Sequence, residues 1–310
     1  IAGPIVRYST IRGQLEGRRE SWDSFFDGVL RFCWGLAKKV IIAHSCGQMT
    51  DVVFSLKPEM LDTKVAWLGA LGYTLQIYFD FSAYSDMAIG LGLMFGFRIP
   101  ENFNRPYSAV SITDFWRRWH ITLSRWFKDY LYIPLGGNRL GTPRTCLNLT
   151  IVFLLCGLWH GANWTFVLWG IYHGGFLVIE RLSGLRDLSN TRYRFVRRLI
   201  TLLIVMVGWV LFRSENLSQA IDFLTAMFTF SDLPISYELS RALNYRNILF
   251  MTAALPVFFL PTDVSLIKTI LERKNPVPVL AGISMILLLL PYCAALIIGG
   301  ASSPFIYYRF

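Results

Sequence analysis

Four histidines, His44, His120, His160 and His173, are the side chains best suited to proton chemistry in this sequence. A neutral imidazole titrates near working pH and can accept a proton from a hydroxyl. His160 stands out by position, closing the apolar run 146–160 in the context Leu158-Trp159-His160-Gly161. Ionisable groups at membrane depth are costly and usually face a cavity or pathway. Two uses of His160 stay open on position alone: a general base, or a hydrogen-bonded residue packed between helices. His120 lies on an edge with Trp116, Phe127 and Leu131, beside Arg117 and Arg118, either as a second site histidine or as an interfacial residue. His173 reads as structural, and His44 has no supporting pattern.

Two carboxylates, Asp80 and Asp86, lie in Tyr78-Phe-Asp-Phe-Ser-Ala-Tyr-Ser-Asp86. Six residues apart, they do not share one face of a regular helix. Each either lines a polar cavity or orients a histidine, or else pairs with an Arg or caps a broken helix. Arg105, Arg117, Arg118 and Arg125 could greet an anionic donor such as a nucleotide phosphate, or could anchor the cytoplasmic side of a membrane. Several chemistries are missing. There is no Gly-x-Ser-x-Gly elbow, no P-loop, no His-x-x-x-x-Asp box and no His-Glu-x-x-His spacing. The five cysteines contain no Cys-x-x-Cys and read as small core residues rather than a disulfide framework or zinc site.

The elements that must hold these residues are membrane elements. Of 310 residues, 54% are hydrophobic and only 16% charged, where soluble domains carry about 25%. Ten Trp and a 15% aromatic share suit a chain that meets two membrane interfaces. The net charge of +10 falls between apolar runs, so it reads as a topology signal and not as a nucleic-acid surface. The predicted class is all-α and polytopic. Residues 1–24 read as a polar surface segment. Apolar segments follow at 25–47, 65–98, 146–160, 164–180, 199–213, 247–261 and 278–299, with a polar connection at 214–246.

Residues 65–98 are too long for one straight span. Run 146–160 is short of a full span, so the tip at His160 is expected to stop inside the membrane as a re-entrant hairpin. Basic residues at both feet of that hairpin put the feet on the cytoplasmic side. Between these segments, 114–133 reads as one amphipathic helix in the interface, with Phe115, Trp119, Leu123, Trp126, Tyr130 and Ile133 as its aromatic and apolar stripe.

Four linked runs carry more than composition does. Asn102-Phe-Asn-Arg-Pro-Tyr107, Asp114-Phe-Trp-Arg-Arg-Trp-His-Ile-Thr-Leu-Ser124, Asp129-Tyr-Leu-Tyr-Ile-Pro-Leu-Gly-Gly137 and Gly157-Leu-Trp-His-Gly-Ala-Asn-Trp164 resemble, in order, the membrane-bound O-acyltransferase family. Within it, the likeness is greatest to the bacterial alginate O-acetyltransferase membrane subunits. The closing Ser303-Pro-Phe-Ile-Tyr-Tyr-Arg-Phe310 resembles their C-terminus.

The resemblance implies a helical bundle with re-entrant or tilted helices around a tunnel, forming one domain over 1–310. It also implies that several helices precede this sequence, which opens Ile-Ala-Gly-Pro without an initiator Met. It matches His160 to the family's hallmark histidine, a general base, and His120 to the second polar site residue. Arg117, Arg118, Arg125, Asp80, Asp86, Asn102, Trp159 and Asn163 are the further candidates for donor binding or tunnel lining. The implied chemistry is transfer of an acetyl group from a cytoplasmic thioester, acetyl-CoA or another, with no bound cofactor and no metal. The acceptor would be an exported, alginate-like polysaccharide, reached directly or through a periplasmic partner. The setting would be the lipid of a bacterial inner membrane, crossed several times. Transfer of another acyl group, such as D-alanyl, to a cell-wall polymer is the nearest alternative. A transporter or membrane scaffold with structural histidines is the more distant one.

Overall fold

A computed structural model describes residues 3–185, 193–259 and 276–300. The described residues form helices and turns without a strand. The closing run 303–310 and the end of the apolar segment 247–261 lie outside them.

Helix α4, Thr63–Met94, is the axis of the fold. Asp62 caps it, accepting from the Val65 amide at 2.9 Å. Tyr73, Leu75, Ile77, Phe81 and Ala83 are buried along it, on every side, as in a helix wrapped by others. The segment expected to be too long for one straight span is carried by one continuous helix of 32 residues, about 48 Å long at 1.5 Å per residue against a hydrocarbon core of about 30 Å. Its polar positions are absorbed by neighbours, so nothing forces a break.

Those neighbours are α2 (Trp22–Ala37), a π-helical stretch (Lys38–Ala43) and α3 (His44–Ser55), which run on as one rod along α4. Gly28 and Gly90 let the two backbones touch: a Cβ on Gly28 would meet the Gly90 carbonyl at 2.6 Å. Where the π-helix widens the turn, consecutive lysines both reach α4. Lys38 bonds Ser82 Oγ at 2.8 Å and Asp86 at 2.5 Å, and Lys39 pairs with Asp80. Arg31 adds 2.8 Å to Asp86 and 2.5 Å to Glu101. Of the uses open to Asp80 and Asp86, the geometry supplies pairing, but of the two Arg31 pairs with Asp86, with Lys38 beside it, and the partner of Asp80 is Lys39.

The described residues of the segment 1–24 lie at the surface and contain helix α1, Tyr8–Glu16. The expected single helix over 114–133 is broken. It consists of α5 (Ile112–Arg118), α6 (Ile121–Phe127) and a π-turn (Lys128–Tyr132). Trp119 is extended and His120 left-handed, φ 44° and ψ 54°, because the Asn102 segment takes the amides a helix would have used. Asn102 O accepts from Ile121 N at 2.9 Å, and Asn102 Oδ1 accepts from Thr122 N at 3.2 Å. The expected stripe divides accordingly: Phe115, Trp119 and Leu123 are core, while Trp126, Tyr130 and Ile133 are exposed.

Helices α7 (Gly141–His160) and α8 (Trp164–Leu182) form the expected hairpin. Gly157 and Gly170 make their contact: a Cβ on Gly157 would strike the Phe166 carbonyl at 2.3 Å, and one on Gly170 the Phe153 carbonyl at 2.3 Å. The first arm is 20 residues long, since the helix starts five residues before the apolar run. At about 30 Å it can cross a hydrocarbon core, so shortness no longer argues for a re-entrant tip.

Helix α9, Arg194–Arg213, packs on α8. The connection expected to be polar holds two helices, α10 (Leu217–Phe228) and α11 (Tyr237–Ala242). Phe223 of α10 stacks on Phe54 at 4.3 Å. The segment after it is not a full span: α12, Tyr245–Ala254, gives way at Pro256 to a 3₁₀ turn, Leu255–Phe258. Helix α13, Pro276–Ile298, closes the described chain. Three described helices are long and apolar enough to cross a membrane, α7, α9 and the Val279–Ile298 part of α13.

Candidate active site

The junction of α5, α6, α7 and α8 encloses a cavity of ≈ 250 Å³. Its wall is apolar, with Trp116, Trp119, Leu123, Phe127, Leu149, Val152, Phe153, Cys156 and Leu177. Two imidazoles, His120 and His160, share this wall. Arg117 and Lys128 also line it, and both are exposed, so the cavity has a basic, solvent-reaching rim and an apolar interior. Such a chamber can hold an acyl chain or thioester in the dry part and an anionic carrier at the mouth.

His160 is placed by the hairpin. It is the last residue of α7, and the glycine contact just before it fixes α7 against α8. Its ring packs edge-on to Trp169 at 5.2 Å and Phe212 at 5.0 Å, with Trp159 at 4.9 Å. Cys156 lies one turn earlier on the same helix, buried in the core as expected of the cysteines, and part of it lines the cavity. His120 is placed by the break between α5 and α6. Its Nδ1 lies 3.1 Å from Asn102 Oδ1, and its ring meets Phe81 edge-on at 4.7 Å and Trp159 at 6.4 Å. Burial first, and the nearby His160 second, hold the His120 imidazole well below its ordinary range, so it stays neutral.

The wall that carries Trp116 and Arg117 is tied down from α8. Glu180 accepts from the Ile112 amide at 2.5 Å, the Thr113 amide at 2.9 Å and Thr113 Oγ1 at 2.7 Å. The carboxylate thus sits on the first-turn donors of α5, where the helix dipole favours an anion.

The other sequence candidates divide. Arg117 lines the cavity; Arg118 instead pairs with Asp114 at 2.8 Å. Arg125 is exposed and off the wall, its carbonyl accepting from Arg7. Asp80 and Asp86 belong to the ion pairs that α2 and the π-helical stretch make with α4. Asn102 is fully buried behind His120. Trp159 is half exposed and touches both histidine rings. Asn163 caps α8 through Thr165 N and holds Glu215 O at 2.6 Å, a tip contact. His173 is buried among Trp116, Trp169, Tyr172 and Trp209, away from the cavity. Sequence reasoning missed Glu180, Thr122 and Ser85, and it placed Cys156 in the core without its place on the cavity wall. Only Cys156 left a signal, its four-residue spacing from His160.

The four runs that resembled one family are brought together here: Asn102 and Thr122 behind His120, Tyr132 on the cavity wall, and Gly157 beneath His160. A match to MBOAT, the membrane-bound O-acyltransferase family, covers residues 1–219. The chain belongs to this family. It is a membrane protein.

Among individual relatives, this MBOAT chain is 53% identical over 242 residues to a probable alginate O-acetylase of Pseudomonas putida, covering 78% of this chain and 49% of the relative. It is 42% identical over 252 residues to a peptidoglycan O-acetyltransferase of Helicobacter pylori, covering 80% and 48%. It is 29% identical over 227 residues to a teichoic acid D-alanyltransferase of Bacillus subtilis, covering 66% and 54%. The chain spans about half the length of these MBOAT relatives.

Proposed function

We propose that this chain is the site-bearing part of an inner-membrane, multi-pass O-acetyltransferase that acts on an exported, alginate-like polysaccharide, directly or through a periplasmic partner protein. The observation that carries the reading is the pairing of His120 and His160 on one apolar cavity with a basic rim. An acetyl thioester, with acetyl-CoA as one candidate, enters at the rim, where Arg117 and Lys128 attract its anionic carrier. His160 takes the proton of the attacking hydroxyl. The hydroxyl oxygen bonds to the thioester carbonyl carbon, the carbon–sulfur bond breaks, and the sulfur leaves as a thiol after regaining a proton. General-base assistance of this kind is worth about 10²–10⁴-fold, and orientation in a dry chamber adds to it.

The test uses membranes containing the full-length protein with its partners, given labelled acetyl thioester in one arm and labelled D-alanyl thioester in the other. Label in polysaccharide from the acetyl arm alone is the expected result. The 29% relative named for D-alanyl transfer makes the second arm the specific alternative. Label from that arm alone overturns the acetyl assignment and keeps acyl transfer. Label from neither arm removes the enzyme reading.

A further inference from the structure

Asn102 is completely buried, is not on the cavity wall, and touches the one site imidazole that the backbone forces into a left-handed conformation. Its amide orientation follows from its partners. Thr122 N lies 3.2 Å from Oδ1, and a backbone N–H only donates, so the atom facing it is the carbonyl oxygen. The Thr122 hydroxyl accepts from the Ile5 amide at 2.9 Å and gives its own proton to the same Oδ1 at 2.8 Å. On the other side, Nδ2 donates to Ser85 Oγ at 3.1 Å. The third neighbour of Oδ1 is His120 Nδ1 at 3.1 Å, which must therefore carry a hydrogen.

We propose that Asn102 is a positioning residue that locks His120 as its Nδ1–H tautomer, leaving the Nε2 lone pair for the cavity. The consequence for transfer rests on the acyltransferase reading above; the tautomer does not. An Nε2–H imidazole would donate to the thioester carbonyl oxygen. The Nδ1–H form cannot do so, and instead accepts a proton at Nε2. The one proton that His160 takes from the hydroxyl passes to His120 Nε2, and His120 returns it to the departing sulfur. The balance is closed: an O–H and a C–S bond break, and an O–C and an S–H bond form. The left-handed φ of 44° at His120 is part of the same device, since non-glycine residues keep such angles only where the surroundings over-determine them. Here the Ile121 amide on Asn102 O at 2.9 Å and the Asn104 amide on Arg118 O at 2.9 Å clamp the two segments across the break.

The direct test is nitrogen NMR of the full-length protein in lipid with ring-¹⁵N-labelled histidine, the His120 signals being identified by their loss in His120→Asn. The wild type should show a protonated Nδ1 and a bare Nε2, and Asn102→Asp, which keeps the acceptor, should preserve that pattern. A protonated Nε2 in the wild type overturns the proposal, and this arm needs no Asn102 variant to fold. The second arm measures transfer. Asn102→Leu should lower kcat about 10²-fold with KM within about twofold, the range expected for a lost proton-transfer partner. Asn102→Leu combined with His120→Asn should be no slower than His120→Asn alone, whereas additive losses overturn the positioning role. Protonated Nδ1 with no acyl transfer by the wild type keeps the tautomer and removes the acyltransferase reading.

Discussion

The Glu180 carboxylate on α8 accepts a 2.5 Å hydrogen bond from the Ile112 amide at the start of α5. This contact joins the hairpin that carries His160 to the short helix that carries Trp116 and Arg117. Glu180→Ala would leave the Ile112 and Thr113 amides without their acceptor. Each buried unsatisfied donor costs about 1–3 kcal/mol. Thermal unfolding of the purified full-length protein should show that loss, and Glu180→Gln should recover part of it.

Cavity occupancy makes a second prediction. Cys156 lines the wall one helical turn before His160. Cys156→Ala enlarges the chamber and should leave acetylation within about threefold of wild type, as no step uses the thiol. Cys156→Trp fills the chamber and should abolish acetylation at equal protein abundance. Full activity in Cys156→Trp would show that substrate does not occupy this cavity.

Helix contact makes the third. Gly157 and Gly170 each oppose a carbonyl of the other arm at 2.3 Å from where a Cβ would stand. Gly170→Val must separate α7 from α8 and displace His160. Overpacking typically costs about 1–3 kcal/mol, and the same variant should lose most activity even where it accumulates. Acetyl content and unfolding temperature, measured together, check this.

Much of this arrangement was legible in the sequence. The α7–α8 hairpin followed from apolar runs, and the pairing of His120 with His160 was what the family resemblance implied rather than what the residues alone gave. The break at His120 did not. Local periodicity over 114–133 is helical, and it is overruled by Asn102, a residue from a separate loop that takes the Ile121 and Thr122 amides. Helix α4 hid something else. Its carboxylates left pairing and cavity lining equally open, and Lys38, Lys39 and Arg31 meet them from a rod whose π-turn no residue pattern announces. Glu180 was invisible because its partners, two backbone amides and the Thr113 hydroxyl, lie 67 and 68 residues away in sequence.

That ion-pair set carries the fourth prediction. Lys38 is almost fully buried against Asp86 and Ser82. Removing one partner of a buried pair costs about 3–5 kcal/mol, because the remaining charge is left in a poor solvent. Lys38→Met should be destabilised by roughly that amount, less what Arg31 still supplies to Asp86. Lys38→Met with Asp86→Asn should regain part of the loss. An unchanged unfolding temperature for Lys38→Met would contradict the pairing.

The pH dependence follows from His120. Its burial, with His160 as the smaller cause, depresses its proton affinity in the folded protein. Between the depressed value and the ordinary one of about 6.5, the unfolded chain binds a proton that the folded chain does not. Stability from this group is therefore present above about pH 6.5 and falls as pH drops below it. The unfolding temperature of the wild type should decline from about pH 6.5 to about pH 5, and His120→Asn should flatten part of that decline.

The central claim is that His160 removes the proton of the acceptor hydroxyl. The acetyl content of exported polysaccharide, from cells carrying the full-length protein as wild type or as His160→Ala at matched membrane abundance, tests it most directly. Loss of polysaccharide acetyl groups in the variant is the predicted result. Acetylation at the wild-type level in His160→Ala would contradict it.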